Sequence, residues 1–172
     1  MKLSTLFLAT LVATTSPLVV AQTSTPADAA TAPQTTFGVY QMQPALRAVT
    51  AEQNSGSQVV EQLGAMQVIN SNQAADLTNG KVQTNTVVRN VLTGELAVVT
   101  GRISVLSKDA ASVKAVASRL GLKQLHSFNQ GKVLMLQAGA DTDLLAVTEQ
   151  LKAISGVTTV RIDVLENKQE SR

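Results

Sequence analysis

The strongest constraint in this sequence lies between residues 102 and 165. There two helical stripes, each with its own start and stop signals, alternate with runs of period two. Ile103 and Val105 fall on one face of the run 102–107, the alternation of a half-buried strand. Asp109 then stands as the N-cap of a helix carrying Val113, Val116, Ala117 and Leu120 at i, i+3, i+4 and i+7 spacing. Arg119 in its last turn suits the helix dipole, Gly121 stops the helix, and Leu122 is placed for the apolar contact of a C-terminal cap. A short strand follows at 124–128, a turn at Asn129-Gln130-Gly131, and an apolar strand at 132–138. Gly139 ends that strand, and Asp141 or Thr142 offers a cap for a second helix. Its buried stripe is Leu144, Val147, Thr148, Leu151 and Ile154, closed by Gly156. The last strand, 158–165, sets Val160, Ile162 and Val164 on one face.

This order predicts an α+β chain built on a ferredoxin-like βαββαβ unit, an antiparallel sheet with two helices on one face. A smaller N-terminal segment ending in a β-hairpin precedes it. The hairpin is read from the β-rich runs 82–89 and 95–100 around a short turn containing Gly94, with Gly101 marking a bend or bulge. Upstream the signals are weaker. Helical spacing predicts short helices at 44–51 and at 58–66, the second through Val59, Val60, Leu63 and Met66, and Asn79-Gly80 is a turn dipeptide.

At the N-terminus Lys2 precedes an apolar stretch, 3–20, interrupted by Pro17 and ending in Val19-Val20-Ala21 before Gln22. A basic start, a short apolar segment and small residues at a cleavage position read as a secretory signal peptide of residues 1–21. Residues 22–36, rich in Thr, Ala, Gln and Pro, read as a flexible leader. The expected organisation is therefore signal peptide, leader, an N-terminal region at 37–100 and the βαββαβ domain with a C-terminal tail at 101–172. Phe37 and Tyr40 open the N-terminal region as a short apolar knot, suited to docking on a neighbouring core or to binding a partner. No second stretch approaches the roughly 20 apolar residues of a membrane span, so none is expected once the signal is removed. The expected location is periplasmic, or secreted with a client.

Removing the signal peptide takes Lys2 with it, so the formal charge of +2 falls to +1. With one Tyr, three Phe, no Trp and no cluster of bases, nucleic-acid binding is excluded on composition. No cysteine is present, so stability has to come from a core, and thiol chemistry is excluded. The single histidine, His126, has Ser127 on the opposite side of a strand, and no Gly-x-Ser-x-Gly sequence marks a more distant serine as its partner. Asp141 and Asp143 read as helix-capping acids and not as metal ligands. The glycines punctuate elements and form no phosphate-binding loop. The expectation is a non-catalytic protein that uses neither metal nor cofactor.

A sheet covered by helices on one side is ordinarily polar on the other. Val133-Leu134-Met135-Leu136 is apolar on both, and Leu106 and Leu165 add to the unexplained face. Two explanations stand. The hairpin or the Phe37–Tyr40 knot packs there, or the face built on Leu106, Leu134, Leu136 and Leu165 docks another protein, since burying each such side chain is worth about 1.5–3 kcal/mol.

An exported βαββαβ unit whose last strand, Thr159-Val160-Arg161-Ile162-Asp163-Val164-Leu165, runs into a polar tail resembles the propeptides of subtilisin-type serine proteases. With an extra region in front and no protease behind, the chain is similar to free-standing, external chaperones of such proteases. The resemblance implies a dedicated chaperone and temporary inhibitor of a subtilisin-type serine protease, in a 1:1 complex. The sheet face would hold native-like surface of the client. The tail, Glu166, Asn167, Lys168, Gln169, Glu170, Ser171 and Arg172, would lie in the active-site cleft. The rival expectation is an envelope adaptor or oligomerisation module on the same fold, because the fold alone decides no function.

Overall fold

The computed structural model describes residues 35–71 and 80–167. The expected signal peptide, the leader up to residue 34, Asn79 and the tail beyond Asn167 lie outside them. In chain order the elements are β1 (Thr36–Phe37), β2 (Tyr40–Thr50), β3 (Val59–Leu63), β4 (Met66–Asn70), β5 (Thr86–Asn90), β6 (Leu96–Ser107), α1 (Ala110–Arg119), β7 (Lys123–Phe128), β8 (Val133–Gln137), α2 (Leu144–Lys152) and β9 (Val157–Glu166). The protein is α+β, with its strands joined in one sheet whose neighbours pair antiparallel.

The long strand β6 organises this sheet. Its first half pairs with β5 through Val87↔Val98, and its second half pairs with β8 through Ile103↔Leu136 and Val105↔Leu134. Along its other edge β9 accompanies it over both halves. Between the halves, residues 100–102 stand opposite Asp163 alone, a bulge that Gly101 permits with φ +76°. The bend expected at Gly101 is therefore present, but the strand continues through it. The elements from β6 to β9 run strand, helix, strand, strand, helix, strand, in the spatial order β9-β6-β8-β7. They are not a separate four-stranded body, because the sheet carries on through β5 and β2 to β4 and β3.

Both helices form where their caps allow. Asp109 accepts from the backbone N–H of Ala111 and Ser112, and Asp143 accepts from Leu145 and Ala146. The second cap is thus Asp143 and neither Asp141 nor Thr142. The α1 stop is as the sequence implies: Leu122 N–H donates to the Ala117 carbonyl, and the buried Leu122 side chain closes the end. Val113 and Ala117 of α1 and Leu144, Val147 and Leu151 of α2 bury against Ile103, Val105, Leu134 and Leu136. Val82 joins the same core, and its carbonyl accepts from Leu144 N–H, tying the approach to β5 onto the start of α2.

The N-terminal region corrects the helical reading. Residues 44–51 and 58–66 lie in strands and turns. Pro44 sits in β2 within a register shift between Met42 and Arg47, where a missing N–H is tolerated. Leu63 and Met66 pair across the Gly64-Ala65 hairpin, Gly64 taking φ +58°. Their i, i+3 spacing is therefore a hairpin contact and not a helical one. Beta-branched Val59 and Val60 favour the strand, and eight or nine residues are too few for helical periodicity to prevail over sheet pairing. A second core forms here from Ala48, Leu63, Val68, Val87, Leu96 and Val98. The first half of β6 is consequently buried on both faces, which accounts for the unbroken apolar run Leu96-Ala97-Val98-Val99.

A Cβ at Gly101 would collide with Thr84 Oγ1 and stand 2.9 Å from Gln137 Nε2. Gly101→Ala is expected to cost about 2–4 kcal/mol from the left-handed backbone and the overpacking together. Urea unfolding of the purified chain checks this, and a loss below about 0.5 kcal/mol would show that the bend does not need glycine.

Candidate docking face and tail anchor

The pairing register decides which side chains meet on the sheet face away from the helices. Leu106 pairs with Val133, and Val133 with Phe128, making one apolar row across β6, β8 and β7. The next row is Ser104, Met135 and His126, and the third is Arg102, Gln137 and Lys123. The face thus grades from apolar at one end to cationic at the other. Leu106 is 39% and Phe128 52% exposed, while Val133 and Met135 are half-buried. The His126 ring tilts against Phe128 with centroids 5.8 Å apart.

This geometry revises the site residues read from sequence. Leu134 and Leu136 are fully buried beneath the helices, not on the open face. The alternation of β8 was read with its two sides exchanged. A strand apolar on both faces gives no internal signal of phase, which only the partner register supplies. Leu165 pairs with Val98 and packs on the second core near Gly64, so it too is away from the open face. Leu106 alone of the four is where the sequence placed it. Phe128, Val133 and Met135 were missed, though pairing Leu106 with the start of β8 would have found them.

The tail begins from an anchored residue. Glu166 ends β9, and its Oε1 accepts from the Tyr40 hydroxyl at 2.9 Å and from Asn90 Nδ2 at 3.2 Å. Tyr40 and Asn90 are themselves a pair across β2 and β5. Glu166 is therefore part of the sheet, and of the tail residues only Asn167 among the rest is described, as exposed. The Tyr40 ring stacks against Phe37 with centroids 5.5 Å apart, and both pack against the helix-side core. The apolar knot at Phe37 and Tyr40 is thus an internal dock that fixes the end of β9 at Glu166.

A family model described as the open reading frame 2 N-terminal domain matches residues 23–171. The chain belongs to this family. Among solved structures, a chain in the crystal structure of the Aeromonas sobria serine protease (ASP) and chaperone (ORF2) complex is 30% identical; the alignment covers 56% of this chain and 97% of that one, with a TM-score of 0.45. No curated protein matches the chain. The family match spans both the N-terminal strands and the helix-bearing part, so the Tyr40 anchor and the open face both fall inside it. Among the described residues, no helix is long and apolar enough to cross a membrane.

Burial, then the Glu166 hydrogen bond, push the Tyr40 hydroxyl from 10.0 up to about 12. The folded value lies above the unfolded one. Stabilisation by the anchor is therefore complete below pH 10 and is lost as pH rises towards 12. Tyr40 is the only tyrosine and there is no tryptophan, so phenolate absorbance reports this one group. The expected midpoint is near 12 in the native chain and lower in Glu166→Gln, approaching 10 only on unfolding. A native midpoint at 10 would contradict the anchor.

Proposed function

We propose that this protein is an exported, non-catalytic chaperone and temporary inhibitor of a subtilisin-type serine protease. The observation that carries the reading is the apolar row Leu106–Val133–Phe128, left uncovered by the protein's own helices and by its N-terminal strands. Exposed apolar side chains brought side by side by the fold mark a protein-binding surface. The chaperone named in the Aeromonas sobria structure is in complex with a serine protease. Carried to this chain, a protease client fits a face with an apolar end and a cationic end.

Within this reading the elements from β6 to β9 act as a ferredoxin-like unit, supported by their strand order. The face holds native-like surface of a folding client, so binding free energy offsets part of the ordering entropy that slows folding. The tail, 167–172, leaves the sheet at the Tyr40–Glu166 anchor and enters the active-site cleft, keeping the client inactive in a 1:1 complex until release. Export through the residue 1–21 signal peptide would bring chaperone and client together in the periplasm.

Co-expression with a subtilisin-type protease of the same genome lacking its own propeptide tests this directly. Active protease is expected to accumulate with the native chain and to fall about tenfold or more with Leu106→Asp/Phe128→Asp, since burying each side chain is worth about 1.5–3 kcal/mol. Deleting 167–172 is expected to leave folding assistance largely in place and to weaken inhibition of the purified protease. Equal accumulation of active protease with and without this protein would sink the proposal.

A further inference from the structure

Strand β9 lies at a sheet edge. One side pairs with β6, and among the described residues no strand pairs with the other. The Asp163 carbonyl faces β6, accepting from Thr100 Oγ1 at 3.1 Å. By the alternation of an antiparallel strand, the peptide groups of Val160, Ile162 and Val164 then point outward, where none of the described residues receives them. Such an edge is a template for another strand. Beside it runs a groove of about 940 Å³ between α2 and the turn joining β1 to β2, floored by these three half-buried side chains. On its α2 wall Thr148 is 6% exposed, and its hydroxyl has no hydrogen-bond partner among the described residues.

The sequence of this edge is complementary to itself. Laid antiparallel on a second copy with the two Ile162 residues opposite each other, Val160 meets Val164 of the second copy. In the same register Arg161 meets Asp163 of the second copy, twice by symmetry. A register centred one residue earlier sets Arg161 against Arg161, and one residue later sets Asp163 against Asp163. Like charges directly opposite one another are destabilising, so the charge pattern selects the register centred on Ile162. Arg161 is exposed and makes no ion pair among the described residues. Among the described residues the Asp163 carboxylate accepts from the Thr100 hydroxyl alone, through Oδ2 at 3.2 Å, and retains acceptor capacity for a guanidinium.

We propose that β9 is the interface of a two-fold homodimer, in which the sheets of two copies join edge to edge through β9 about Ile162. The interface is isologous, so closure needs no further surface. It leaves the Leu106–Val133–Phe128 row free, and each copy can carry its own client. The oligomeric state is measured without any protease, so its failure and that of the chaperone reading are distinguishable.

Sedimentation velocity of the full chain without its signal peptide, from micromolar to millimolar concentration, reads the equilibrium. A reversible dimer is expected. Arg161→Asp and Asp163→Arg should each raise its dissociation constant about tenfold or more, and the double exchange should return it close to the native value. Circular dichroism confirms that each variant is folded. Because the chain has no cysteine, a second readout is available in Ile162→Cys. Mild oxidation should link it into a dimer through a bond across the axis, while Leu92→Cys, at a site 78% exposed and far along the chain, should not link. A native chain that sediments as a monomer throughout overturns the proposal. So do folded single variants that dimerise as tightly as the native chain, or a folded double variant that stays monomeric.

Discussion

Everything in this fold depends on β6 bending at Gly101 without breaking. Before the bend the strand is buried on both faces, with Leu96 and Val98 in one core and Ala97 and Val99 in the other. After it, Ile103 and Val105 stay under the helices while Leu106 emerges on the far side. The bend changes the partner of β6 from β5 to β8, with β9 following along its other edge. One strand therefore joins the N-terminal strands to the helix-bearing part, and the second core stops short of the open face.

That stopping point gives the open face its character. Where side chains of β2–β5 form the second core with Leu96 and Val98, both faces of β6 are dry. Where they do not, Leu106, Val133 and Phe128 remain accessible, beside Met135 and His126. The other N-terminal contribution is local. Tyr40 and Asn90 hold Glu166, so the strands that supply the second core also fix the last residue of β9. Tyr40 and Glu166 are both half-buried, so their hydrogen bond is less screened than one at the open surface.

Much of this was legible in the sequence wherever several local signals agreed. Asp109, Gly121 and Leu122 delimit α1 independently of its apolar stripe, and both helices and their flanking strands appear where expected. The N-terminal region carried single, short signals. Leu63 and Met66 are three apart both on a helix and across a two-residue turn, so spacing alone could not separate the two arrangements. The open face failed for a different reason. Val133-Leu134-Met135-Leu136 is apolar at every position, and which alternate set faces the helices follows from pairing Val105 with Leu134, a long-range fact. The Tyr40–Glu166 contact spans the whole described chain and had no sequence signature beyond a lone tyrosine and an acid closing an apolar run.

In the proposed function the uncovered row of β6, β8 and β7, not the helical side, receives the protease. Hydrogen–deuterium exchange of this protein, alone and mixed with an inactivated subtilisin-type client, tests it most directly. Slowed exchange is expected at 102–107, 126–135 and the residues following Glu166, with 110–119 and 144–152 unchanged. Protection confined to the helices, or no change anywhere on addition of the client, would contradict it.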